Sequence, residues 1–232
     1  MLRSQISRRI FLRTIDLGLR SCLAVLLLQP RSTSANKDAS QEQKRDEALV
    51  DLAEVCPGVL IELKYATPRN ITGAPIYPGG ARALLRQSVA DRLRRASDFL
   101  SAQGYRLKIW DAYRPPFAQE RLWEARPNPE FVGDPTRGGS LHSWGVAVDV
   151  TLADRNGNEL RMPTDFDEFT PAAARRYSGG DPAVAANLRR LQQAMVAAGF
   201  LAMRDEWWHF VSEDFRDFGP VTPPAALIPV AP

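Results

Sequence analysis

The chain contains two histidines in 232 residues, and each sits in a short motif that also carries a carboxylate. One motif runs Ser140-Leu141-His142-Ser143-Trp144-Gly145-Val146-Ala147-Val148-Asp149, and the other is Glu206-Trp207-Trp208-His209. A catalytic zinc site needs about three protein ligands with nitrogen or oxygen donors and one open position for water. His142, Asp149 and His209 supply that count, and Glu206 is left over as a nearby carboxylate able to act as general base on water. A single histidine beside tryptophan is more often a packed, hydrogen-bonded core residue. Two histidines that both fall in carboxylate-bearing motifs favour the ligand reading. One spacing sets a condition: in regular strand Glu206 and His209 point to opposite faces, so both reach one metal only through a turn or bulge. Arg114 is a further candidate, a guanidinium that stays charged at any relevant pH and offers forked donors from a strand end. Its alternative is an ion pair with Asp111, which could instead orient it.

These side chains need elements to place them. Apolar residues at Leu84, Leu85, Val89, Leu93, Ala96, Phe99 and Leu100 follow a helical period, which predicts a helix over 81–103 stopped by Gly104. Tyr105, Leu107 and Ile109 alternate with Arg106 and Lys108, predicting a strand that delivers Asp111 and Arg114 at its end. Pro115 and Pro116 end it and permit a short helix over 117–124. A Gly- and Pro-rich loop over 126–139 precedes a second alternating strand, with Val146, Val148, Val150 and Leu152 on one face and Asp149 on the other. Asp181 and Pro182 read as an N-cap and first helical position, and Val184, Leu188, Leu191, Met195 and Ala198 carry that helix to Gly199. Trp207 to Val211 is a short aromatic strand. There is no internal repeat. The pattern predicts an α+β fold with a central, mostly antiparallel sheet flanked by helices and a zinc cleft at strand ends.

The composition, 44% hydrophobic and 25% charged, is that of a globular protein. Positive charge is concentrated at the start, where residues 1–35 hold six arginines against Asp16. The remainder keeps 24 of the 30 basic and 26 of the 27 acidic side chains, a net −2. The sequence pI near 9.1 therefore describes the leader, and nucleic-acid binding has no electrostatic support. Ser7-Arg8-Arg9-Ile10-Phe11-Leu12-Arg13 resembles the twin-arginine export motif, and the apolar run Cys22 to Leu28 is too short to span a bilayer. The expected organisation is a signal peptide over 1–35 cut near Ala35, a polar linker over 36–48, a catalytic domain over 49–219 and a Pro-rich tail over 220–232. The alternative for the leader is an uncleaved amphipathic anchor. Cleavage would leave Cys56 as the one cysteine and no disulfide. The expected compartment is the periplasm, reached through the twin-arginine machinery, with no stable membrane span in the mature form.

The set Ser140-x-His142-x-x-Gly145-x-Ala147-x-Asp149 with Glu206-Trp207-Trp208-His209 resembles the zinc D-alanyl-D-alanine dipeptidases, the VanX-type branch of the M15 peptidases that also include D,D-carboxypeptidases. Leu63-Lys64-Tyr65-Ala66-Thr67, Asn70-Ile71-Thr72-Gly73, Trp110-Asp111-Ala112-Tyr113-Arg114-Pro115 and Phe166-Asp167-Glu168-Phe169 fit the same family in the same order, over about residues 50–215. The resemblance implies one zinc per chain on His142, Asp149 and His209, Glu206 as base, and Arg114 at the oxyanion. It also implies a small D,D-dipeptide substrate, with Asp167 and Tyr65 near its amine, Ser140 beside it, and Asp111 either in contact with substrate or behind Arg114. Leu141 and Trp144 depart from the family pattern. Two rivals stand beside the dipeptidase: a periplasmic D,D-carboxypeptidase or endopeptidase acting on peptidoglycan stem peptides, and a noncatalytic zinc-stabilised envelope binding module.

Overall fold

The computed structural model describes residues 44–129 and 131–222, so the leader, most of the linker and the end of the tail lie outside the described residues. In chain order the elements are β1 (Leu49–Asp51), α1 (Leu52–Val55), β2 (Leu60–Ile61), β3 (Leu84–Arg86), α2 (Gln87–Ser101), β4 (Arg106–Asp111), α3 (Pro116–Ala125), β5 (Ala147–Ala153), α4 (Pro182–Ala197), β6 (Phe200–Ala202) and β7 (His209–Ser212). Five strands form one sheet in the order β2-β4-β5-β7-β6, in which only the β2–β4 pair is parallel. The mostly antiparallel sheet and flanking helices are those the alternation predicts. β5 is central and every one of its residues is buried, so Asp149 and Thr151 are as enclosed as the valines between them.

Register carries the site. Asp149 of β5 lies opposite His209 of β7 on one side and Asp111 of β4 on the other, after a shift between Ile109 and Asp111. Three groups with reactive side chains are thus neighbours across the sheet at one end of its strands. The body beneath them is packed with Leu93, Leu100, Leu107, Ile109, Leu191, Met195, Phe200, Phe210, Trp207 and Trp208, all almost fully buried. A buried side chain of this size contributes about 1.5–3 kcal/mol, so the strand ends stand on a stiff base.

Two details differ from the sequence expectation. The helix predicted over 81–103 begins at Gln87, because Leu84–Arg86 pairs antiparallel with β1. Leu84 and Leu85 are both buried, on the two faces of an extended segment, and an apolar pair satisfies a strand as readily as a helix. Phe99, placed on the apolar stripe by its spacing, is 49% exposed. The chain is also tied down before Leu49: the Arg45 N–H donates to the Asp217 carbonyl at 2.7 Å, and Glu47 accepts from the Ser88 N–H at 2.9 Å, capping α2, whose own N-cap side chain makes no such bond. Among the described residues Cys56 is a free, buried cysteine, and no helix is long and apolar enough to cross a membrane.

Candidate metal centre and its cleft

His142 lies in a 3-10 turn, Leu141–Trp144, that ends at Gly145 in the left-handed region (φ 71°). The left-handed backbone is what favours glycine there; a Cβ would also stand 2.6 Å from Leu49 Cδ2 and push that side-chain end aside. Ser140 caps the turn, its hydroxyl accepting from the His142 N–H at 3.2 Å. On the ring, Nδ1 lies 2.7 Å from the Ala112 carbonyl, which can only accept, so the hydrogen sits on Nδ1 and the Nε2 lone pair faces inward. The condition on Glu206 and His209 is met by a turn: the His209 N–H donates to the Glu206 carbonyl at 3.2 Å before β7 begins.

Three atoms converge as a result. His142 Nε2, His209 Nδ1 and Asp149 Oδ1 are separated by 3.1, 2.8 and 3.3 Å. Ligands about 2.0–2.2 Å from one tetrahedral zinc stand about 3.3 Å apart, so the triangle fits a single small cation. The donor set agrees: with the Nδ1 hydrogen of His142 turned away, a proton or a cation must lie between the facing nitrogens. Burial pushes the Asp149 carboxyl up, but the two histidines outweigh it and hold it well below the usual carboxylate range.

Arg114 sits beside this centre. Its Nη2 is 3.6 Å from Asp149 Oδ2, and it is buried rather than paired at the surface. Asp111 binds its Nε and Nη2 at 2.9 and 2.8 Å. Fully enclosed and in turn accepting from the Tyr77 hydroxyl, Asp111 orients the arginine; it does not line the cleft, which corrects its placement among the substrate contacts. Burial lowers the affinity of the guanidinium for its proton, yet Tyr65, Asp111 and Asp149 hold it well above the ordinary value.

Tyr77 and Gln119 escaped the sequence reading. Gln119 Oε1 accepts from Arg114 Nη1 at 2.9 Å and its Nε2 donates to the Gly133 carbonyl at 2.7 Å. The available signal was a polar residue on the buried face of α3, between Ala118 and Leu122.

The cleft has a volume of about 230 Å³ and is lined by Tyr65, Arg114, Ser140, His142, Asp149, Asp167, Glu206 and His209 among others, so the candidates from six separate segments share one space. Phe131, stacked on Phe169 at 4.9 Å, forms part of its wall. Asp167 adopts φ 59°, a left-handed conformation uncommon outside glycine. That conformation lets its two oxygens accept from the Tyr65 hydroxyl at 3.0 Å and the Ile71 N–H at 3.1 Å. Burial raises its pKa to about 7 in spite of those bonds and of Arg114. Glu206 is likewise raised to about 7, by burial first and then by the charges of Asp149 and Asp167. Tyr65 is buried, and burial keeps its hydroxyl protonated. The side chains of Leu141 and Trp144, the two departures, pack against the core.

A model of the peptidase M15 family, described as D-ala-D-ala dipeptidase, matches residues 45–217. The chain is 43% identical over 162 residues to the D-alanyl-D-alanine dipeptidase of Escherichia coli (strain K12), covering 70% of this chain and 83% of that protein. It is 32% identical over 187 residues to the D-alanyl-D-alanine dipeptidase of Enterococcus faecalis (strain ATCC 700802 / V583), covering 72% and 93%. An enclosed His/Asp/His centre at the strand ends of an α+β domain thus stands in a peptidase. The chain belongs to the M15 peptidase family, in the part described as D-Ala-D-Ala dipeptidases.

Proposed function

We propose that this protein hydrolyses the free dipeptide D-alanyl-D-alanine to two D-alanines, with one zinc held by His142, Asp149 and His209. The observation that carries the reading is the Asp167 carboxylate, half-buried and paired with Tyr65, which lines the same small cleft as the three candidate ligands. An acyl chain in the amine position would leave that carboxylate buried without a cation, whereas an ammonium satisfies it. When bound, zinc supplies Lewis acidity to the scissile carbonyl and to a water.

The protein's own groups carry the remaining work. Glu206, with its pKa raised into the range where a carboxylate exchanges a proton near neutrality, takes the proton from water and passes it to the leaving amine. Arg114 keeps N–H capacity at Nη1 and Nη2 beyond its bonds to Asp111 and Gln119, and meets charge developing on the carbonyl oxygen. Asp111, Tyr77 and Gln119 hold it there, so no reorganisation is needed as that charge appears. Ser140 caps the His142 turn and lines the cleft beside the substrate. Incubating zinc-loaded and chelator-treated protein with D-Ala-D-Ala and with L-Ala-L-Ala tests the reading. The expected result is D-alanine release by the zinc-loaded form alone, with little turnover of the L,L peptide.

We further propose that the reaction takes place in the periplasm after twin-arginine export. Ser7 to Arg13 is the support for this, and it lies outside the described residues. Arg8→Lys with Arg9→Lys keeps the charge and should stop export; normal processing of that variant would overturn the compartment.

A further inference from the structure

Four consecutive carbonyls of the turn that carries His142 are each taken by another segment. The His142 carbonyl accepts from the Arg114 N–H at 3.3 Å as well as from the Gly145 N–H at 3.0 Å within the turn, and the Ser143 carbonyl accepts from the Val221 N–H at 3.3 Å. The Trp144 carbonyl accepts from Arg86 Nε at 3.0 Å, and the Gly145 carbonyl from the Arg86 backbone N–H, also at 3.0 Å. Arg86 supplies two of these donors and is itself only 3% exposed. Its remaining nitrogens reach the two ends of the domain: Nη1 donates to the Glu47 carbonyl, and Nη2 to the Gly219 carbonyl at 3.0 Å. The guanidinium also lies over the Phe218 ring, 5.6 Å from its centroid. A buried cation whose fork is spread over three carbonyls from three segments fixes all three relative to one another.

We propose that Arg86 is a positioning residue for the metal centre, locking the His142 turn to residues 45–47 and 217–221 so that both ends of the domain bear on metal affinity. The inference rests on the reading of His142 as a metal ligand. His142 Nε2 keeps its place because the ring is fixed by Ala112 and the turn beneath it by Arg86 and Val221. Loosening the turn would displace one corner of the triangle while β5 and β7 held the other two. By linkage, whatever the terminal segment contributes to zinc affinity, bound zinc returns as closure of that segment.

The test uses the full chain, with zinc dissociation constants from competition with a chelator and melting curves of the metal-free form. Arg86→Gln is expected to weaken zinc binding about tenfold or more, within the range known for groups that orient metal ligands, and Arg86→Lys to recover part of that loss. A residue that merely supports the fold would lower the melting temperature and leave the affinity of the folded protein unchanged. In the parent chain zinc should slow tryptic cleavage after Lys44 and Arg45, and in Arg86→Gln it should not. Should Arg86→Gln fail to fold, Val221→Pro removes only the donor to Ser143 from the turn and is expected to weaken zinc binding several-fold. Parent-like zinc affinity in folded Arg86→Gln or in Val221→Pro, or cleavage after Lys44 indifferent to zinc in the parent, would overturn the proposal. The affinities decide it whether or not the parent releases D-alanine, so this inference and the proposed activity fail separately.

Discussion

The metal centre and the amine end of the cleft are built by different means. Asp149 and His209 face each other across two paired strands at the middle of the sheet, and the His142 turn is bonded on four carbonyls. Tyr65, Ile71 and Asp167 come from turns and loops, and Asp167 reaches its partners through a left-handed backbone. The stiff half suits groups whose positions must hold to a few tenths of an ångström around one ion. The loop half suits a task that differs among peptidases sharing the same chemistry, the recognition of what lies beyond the scissile bond.

Substitutions in the stiff half should cost most. Glu206→Ala is expected to reduce hydrolysis about 100- to 10,000-fold while zinc stoichiometry stays near one per chain, since Glu206 is proposed as base and not ligand. His142→Ala should instead lose the metal. Equal loss of zinc in both, read by elemental analysis of the purified proteins, would dissolve the division of roles. Arg114→Lys should lower kcat by about 100- to 1,000-fold with little change in KM, because lysine keeps the charge but loses the fork. A raised KM with near-normal kcat would move Arg114 to ground-state binding.

In the loop half the expected effects are smaller and selective. Asp167→Asn should slow cleavage of the free dipeptide about tenfold to a hundredfold, the loss of one charge-assisted hydrogen bond of about 1–3 kcal/mol, while leaving zinc affinity unchanged. Uniform slowing of free and N-acetylated substrates would assign Asp167 to the fold instead. Its titration offers a further contrast in metal-free protein. Unfolded carboxyls titrate near 4, whereas folded Asp167 and Glu206 do so at about 7. Between those values the folded state binds more protons, so stability falls as pH rises through that window. The melting temperature should drop by a few degrees from pH 5 to pH 8, and Asp167→Asn should flatten the drop; an unchanged slope in that variant would contradict the burial argument.

The same contrast explains what could be read from the sequence. Alternation along Ala147–Ala153 and the spacing of His142 and Asp149 specify a strand with one candidate ligand on it and one just before it, and the structure places the two side chains close together. The requirement for a turn between Glu206 and His209 followed from strand geometry alone, and the turn is present. Long-range partners left no such trace. Gln119, Tyr77 and Arg86 belong to no motif or period, and nothing in their local pattern says which distant carbonyl or carboxylate they meet. The start of α2 was misplaced for the opposite reason, because Leu84-Leu85 fits two periods and the choice was made by pairing with β1. The left-handed backbone at Asp167 is likewise set by its surroundings.

The most direct measurement of the central claim is the ratio of kcat/KM for D-Ala-D-Ala to that for N-acetyl-D-Ala-D-Ala with the zinc-loaded protein. A free-dipeptide hydrolase that reads the substrate ammonium with Asp167 gives a ratio of about 10 to 100. A ratio of one or below would contradict the dipeptidase and favour a peptidase of acylated stem peptides built on the same metal centre.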